Sequence, residues 1–340
     1  MNLRDMGRMV STEAALDAEL LRHLEAGDDQ ALAAVLANAQ DHAEARVLND
    51  RLRAVIARGN GVASSHCVVF AIPIVLVAGS RTEITIPGEL PRIEAVRQLL
   101  IDCNIIAADT DLHLSSRLVE RDALLDIKPS TLLQWRNTQE LPADGLQMPL
   151  EPAPITFKGD GVYLRYLVGT VIQRQDQPAA IQLNAAPGTW SMALSKLLGE
   201  QLANPILTLF PLPRAPQALL AALEDGRHAQ QDIRFQVFAS NTLRSLRDKG
   251  ETPVAVLSTH ENGELRVTLG AEKNGEEWAG FVWPLSTLDR VDLIQQMMVG
   301  LLRECHHDDI RIIPEVLPTV MNNLPYFPLP TELPASTVRH

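Results

Sequence analysis

The run Val68–Gly79, VVFAIPIVLVAG, is the most apolar stretch of the chain, and its fate decides the class of protein. A membrane-crossing helix needs about 20 consecutive apolar residues. This run is shorter, with Ser64, Ser65 and His66 before it and Ser80, Arg81 and Glu83 after it. A secretory signal would lie at the extreme N-terminus behind a basic start, whereas a long polar segment precedes this run. Its Val, Ile and Phe content favours a strand, and Pro73 opposes a helix. The expectation is a buried core strand, either split into two short segments or bulged at Pro73.

The rest of the composition agrees with a packed, water-facing protein. Of the 340 residues, 46% are hydrophobic, enough for a sizeable core. The formal net charge of -12 opposes a general nucleic-acid or anionic-membrane surface, which needs clustered Lys and Arg. Three widely spaced cysteines, Cys67, Cys103 and Cys305, read as free thiols in a reducing, cytoplasmic compartment.

The predicted fold class is α+β (mixed α/β). An N-terminal helical layer (1–60) and a strand-helix unit (61–140) come first. A Pro-rich linker (141–160) then leads to a mostly antiparallel sheet with helices on one face (161–317), and a Pro-rich tail (318–340) follows. In the first 60 residues, Ser11 or Thr12 can cap a helix carrying Leu16, Leu20, Leu21 and Leu24, stopped by Gly27. Asp28 or Asp29 starts a second helix, and a third ends at Gly59. Thr82–Ile86 alternates as a strand, and helices are predicted from Pro91, over Ser116–Leu125 and over Pro129–Asn137.

Further on, Val162–Gln173 reads as a strand and Trp190–Leu202 as a helix. Gln217–Leu223 reads as a short helix, Ile233–Ala239 as a strand and Asn241–Lys249 as a short helix. Asn262-Gly263 between two alternating runs is a strong hairpin signal, and a two-residue turn puts Val256 on one face with Leu265, Val267 and Leu269. Asn274-Gly275 makes a second turn into Trp278–Trp283. A helix follows with the apolar stripe Leu288, Val291, Ile294, Met298, Leu301 and Cys305, and Ile310–Ile313 returns as a strand.

No Walker-type phosphate loop, dinucleotide fingerprint, nucleophile elbow, H-E-x-x-H or paired C-x-x-C occurs, so no cofactor is expected and the balance leans away from an enzyme. Asp109, Asp111 and His113 alternate. In an extended segment they would share one side and could hold a divalent metal, and the competing reading is a polar loop. Cys305-His306-His307-Asp308-Asp309 reads as a helix end whose histidines complement the dipole.

Leu118–Pro142 contains Ser130, Thr131, Leu132 and Trp135 ahead of a proline. This pattern resembles the helix-turn-helix of excisionase-type phage regulators, and the resemblance covers about a tenth of the chain. It implies a second helix in a major groove, with Lys128, Ser130 and Arg136 toward DNA. The competing reading makes Trp135 a core anchor on a helix capped by Ser130. The tail residues Leu324, Tyr326, Phe327 and Leu329 could lie in a partner's groove. The expected function is a non-enzymatic interaction, assembly or accessory subunit whose partners are other proteins, a second copy included. A DNA-binding regulator is the alternative and a metal-dependent enzyme the weaker one.

Overall fold

A computed structural model of the chain describes residues 3–59, 64–78, 83–142, 155–157, 161–202, 207–209, 216–271, 278–286 and 289–320. It separates into two units, 1–230 and 231–340. The first contains α1 (Leu3–Ala26), α2 (Asp29–Ala37), α3 (His42–Arg58), β1 (Ser65–Ala78), β2 (Ile84–Ile86), α4 (Ile93–Asp102) and β3 (Leu112–Val119). It continues through α5 (Arg121–Leu125), α6 (Pro129–Arg136), β4 (Ile155–Phe157), β5 (Gly161–Arg174), α7 (Thr189–Leu202), β6 (Leu207–Leu209) and β7 (Gln217–Ala218). Helix α8 (Leu219–Asp248) begins in the first unit and ends in the second. The second unit adds β8 (Pro253–His260), β9 (Glu264–Ala271), β10 (Trp278–Pro284), α9 (Val291–Glu304) and β11 (Ile310–Leu317). The α+β class is the one the sequence predicts.

The apolar run forms most of β1, the interior strand of an antiparallel sheet ordered β3-β5-β1-β6, with β7 also on β1. Its register with β5 is unbroken from Ser65↔Arg174 to Ala78↔Gly161, so the chain neither splits nor bulges at Pro73. On the other edge, β7 takes 70–71 and β6 takes 76–78, which leaves 72–75 without a strand partner among the described residues. A residue with no N–H to give is tolerated where an edge is open.

Alternation along β1 supplies two buried faces. Phe70, Ile72, Ile74 and Leu76 form one core with Val96 and Leu100 of α4 and with Leu194 and Leu198 of α7. On the opposite face Tyr166 of β5 lies under α8, where its hydroxyl donates to the Leu223 carbonyl at 3.1 Å. Gly226 allows this approach: a Cβ there would meet the Tyr166 hydroxyl oxygen at 2.5 Å.

Helices α1, α2 and α3 pack on one another and on α6, burying Leu20, Leu24, Leu32, Leu52 and Val55. Arg51 and Arg58 of α3 both reach Asp17 of α1, at 3.2 and 2.9 Å. Gly27 stops α1 at φ 68°, as predicted, and Asp28 caps α2 by accepting the Ala31 N–H at 2.9 Å. Ser11 and Thr12 are not caps, because α1 runs back to Leu3.

A further expectation fails in this unit. Residues 116–119 belong to β3, with only the short α5 beyond, because 114 and 118–119 pair with β5 across a bulge. The strands on the two sides of 141–160 pair, β2 with β4 and β1 with β5.

In the second unit the sheet order is β10-β9-β8-β11, with β11 parallel to β8. One face carries α8 and α9: Phe235, Leu243, Ile294, Met298 and Leu302 pack on Leu257, Val267 and Trp283. Phe235 and Phe281 meet edge to face at 5.2 Å. Residues 233–239 are therefore helical, and Phe235, Ala239 and Leu243 fall at i, i+4, i+8 on the buried stripe of α8.

The hairpin is present, but its loop holds three residues, 261–263, with Gly263 at φ 73° and His260 opposite Glu264. The extra residue moves the register by one. Leu257, not Val256, lies opposite Val267, and Val256 takes the other face beside Thr268. The second turn at 274–275 and Leu288 lie outside the described residues.

Ile74 is fully buried in β1. Replacing it with Asp should lower the unfolding free energy by about 3 kcal/mol or more, as an unpaired buried charge. Urea denaturation tests this, and an unchanged midpoint would place β1 at the surface.

Candidate functional site

The acidic-histidine candidates do not converge. Asp109 sits in the turn before β3, Asp111 just precedes the strand, and His113 lies within it opposite Thr170. The extended segment that would align all three therefore begins too late for Asp109. Asp111 instead accepts a hydrogen bond from Arg174 at 3.3 Å. Asp111 and His113 line a polar hollow of about 630 Å³ with Arg97, Arg174 and Glu140, and two guanidinium groups there oppose a cation. Among the described residues no three His, Cys, Asp or Glu side chains form a group able to hold a metal ion.

The helix-turn-helix-like segment is built into the core. Helix α6 packs on α1, α3 and β1, burying Ser130, Leu132, Leu133 and Trp135. Trp135 is thus the core anchor of the competing reading. Ser130 does not cap the helix with its own side chain. Its N–H and hydroxyl both donate to the Asp29 carboxylate, at 3.0 and 2.6 Å. That carboxylate, in the first turn of α2, satisfies an orphan N–H at the start of α6 and meets the positive end of its dipole. Lys128 occupies the N-cap position without a capping hydrogen bond. Arg136 turns inward, its Nε donating to the Ala57 carbonyl at 2.6 Å, and burial pushes its pKa down.

Two arrangements escaped the sequence reading. The first is an apolar cleft of about 310 Å³ in the first unit, between α3, α6, the start of β1 and the start of α8. Its walls include Ile56, Val69, Leu132 and Leu183, and among the described residues its only charged lining groups are Arg53 and Arg136. Cys67 also lines it, with burial raising the thiol pKa to about 12, which keeps it protonated and unreactive at neutral pH. Beside the cleft, Glu224 is shared by three guanidinium groups: Arg227 at 3.2 Å, Arg121 at 3.8 Å and Arg53 at 3.9 Å.

The second is a buried pair in β8. Ser258 Oγ lies 3.0 Å from His260 Nε2, and His260 Nδ1 is 3.3 Å from the Pro318 carbonyl. A serine, a histidine and an orienting carbonyl are the parts of a nucleophile. Here both side chains are almost fully buried, so the pair serves to satisfy polar groups.

At the end of α9 the terminal carbonyls of Cys305 and His306 accept from Arg247 at 3.2 and 2.8 Å. That guanidinium, rather than the histidines, complements the dipole. The tail candidates Leu324, Tyr326, Phe327 and Leu329 lie outside the described residues. No helix among the described residues is long and apolar enough to cross a membrane.

Two tests follow from these contacts. Asp29→Ala strands both Ser130 donors and should cost about 1–3 kcal/mol by chemical denaturation. An unaffected midpoint would mean that water replaces the carboxylate without loss. The second concerns His307, buried with Nε2 2.9 Å from the Asp309 carbonyl. Desolvation lowers its pKa from 6.5, against weaker opposition from Asp309. The folded state keeps it neutral while the unfolded chain takes a proton below about 6.5, so its contribution is full above that pH and is lost as the pH falls. Urea midpoints at pH 7.5 and 5.5 should therefore differ less in His307→Gln than in the parent. An equal difference in the two proteins would remove His307 from the pH dependence. Compared with family models, curated proteins and solved structures, the chain shows no match, so its function must be read from its own residues.

Proposed function

We propose that the protein is a non-enzymatic interaction or accessory subunit that engages another protein through strand β10. The observation that carries this is the chemistry of an unprotected edge. Strand β10 ends the second sheet, and no strand pairs with its outer side among the described residues. Its sequence, WAGFVWP, holds no charged residue, and Trp278 and Val282 are 45% and 46% exposed. By the register with β9, Trp278, Gly280 and Val282 share one face with Gly270, Thr268 and Arg266.

Edge strands are normally blunted by lysine, proline, a bulge or a covering segment, because open N–H and C=O groups recruit other chains. Among the described residues only Pro284 at the end serves that purpose. An added strand would find main-chain partners along 278–282 and apolar contacts at Trp278 and Val282. The opposite residues, Phe281 and Trp283, are committed to the core, so the edge is rigid before a partner arrives.

The test compares native pull-downs by the parent and by Val282→Lys, which places a charge on the exposed face and leaves the core side chains untouched. Proteins captured by the parent should be lost or reduced about tenfold in the variant, roughly 1.4 kcal/mol of binding. Identical capture by both would overturn the reading.

A further inference from the structure

Arg136 is an incomplete ion pair. It is half-buried, its Nε is committed to the Ala57 carbonyl, and no carboxylate raises the pKa that burial lowers. A cation drawn partly out of water without a counter-charge costs folding free energy. The neighbouring Arg53 is only loosely held, 3.9 Å from a glutamate that two other arginines share. Among the described residues these two guanidinium groups are the only charges on the wall of a cleft that is otherwise almost entirely hydrocarbon.

We propose that this cleft binds a free medium-chain fatty acid, the hydrocarbon chain lying against Ile56, Val69, Leu132 and Leu183 and the carboxylate pairing with Arg136. Three observations select this occupant. The apolar walls leave hydroxyl, amide or base groups of a ligand unpaired, which excludes sugars, nucleotides and peptides as good fits. The volume of about 310 Å³ stands at the lower end of small-ligand sites, roughly 300–1,000 Å³, and suits a single chain. An anion suits a guanidinium that has no carboxylate partner among the described residues and whose planar fork matches a carboxylate. No bond is made or broken, so the site stores or senses the acid. This inference concerns the first unit and does not rest on β10.

Isothermal titration of the full chain with octanoate and decanoate, below their micelle concentrations, tests it. One molecule should bind per chain, with affinity rising about fourfold for each added methylene. Decanol should bind at least about tenfold more weakly than decanoate, as should decanoate to Arg136→Gln, through loss of a charge-assisted hydrogen bond. Ala221→Trp, at an exposed position of α8 on the cleft wall, should block decanoate while leaving the thermal midpoint in place. This second variant decides the matter if Arg136→Gln unfolds. Absence of decanoate binding would overturn the proposal. So would equal affinity for decanol, unchanged binding in Ala221→Trp, or tighter binding of an N-acetylated Leu-Val-Leu peptide with a free C-terminus.

Discussion

The fourteen-residue ladder between β1 and β5 is the constraint on which the first unit depends. Two long apolar strands in one uninterrupted register have both faces to bury, so helices must cover both sides. Helices α4 and α7 cover one side, and α6 with the start of α8 approaches the other. Small residues are fixed where coverage is closest. Gly169 lies opposite Phe70, and a Cβ there would come within 2.4 Å of that ring and 2.7 Å of Leu114. Gly226 does the same for α8 over Tyr166. Neither glycine is explained by a turn; each is a place where a neighbouring side chain takes the space of a Cβ.

Much of this was legible because the strongest signals are local. Length and flanks made 68–79 a core strand, Gly27 and Asp28 marked a helix junction, and the stripe of α9 was periodic. What escaped needed pairing information that local patterns do not carry. Phe235, Val237 and Ala239 alternate, but Phe235, Ala239 and Leu243 also fit a helical stripe, and only packing against Phe281 and Met298 decides between them. In the hairpin the glycine was read correctly while the loop length was not. A single residue there exchanged the faces of β8 and hid the Ser258–His260 pair, which needs both residues on the side away from the helices. The pairing of the strands on the two sides of the proline-rich stretch 141–160 was hidden too, because composition reports local stiffness and says nothing of what flanking strands pair with.

The helix-turn-helix pattern shows the same limit from the functional side. A short helix, a turn and a Ser-Thr-Leu-x-x-Trp helix describe a local shape, and the shape is present in α5 and α6. Which face meets solvent depends on α1, α2 and α3. Asp29, distant in sequence, binds Ser130 and turns what the pattern offers as a phosphate-facing helix start into a joint of the helical layer. Charge had already opposed DNA, since the formal net charge is -12 and phosphate requires clustered cations; here the arginines near α6 are turned toward a protein carbonyl and a cleft.

Most polar and apolar groups of the two units obey the ordinary rules of burial and pairing, so the exceptions carry information. The Asp29 and Arg247 contacts satisfy groups that would otherwise be orphaned. Strand β10 and Arg136 do the reverse. An uncharged edge with an exposed tryptophan favours association of chains, and a half-buried guanidinium without a carboxylate destabilises the fold that holds it. A single substitution would remove each feature, a lysine in β10 or a glutamine at 136. Their presence in an otherwise well-satisfied structure is most simply accounted for by something that completes them: a strand on one, an anion with an apolar tail on the other.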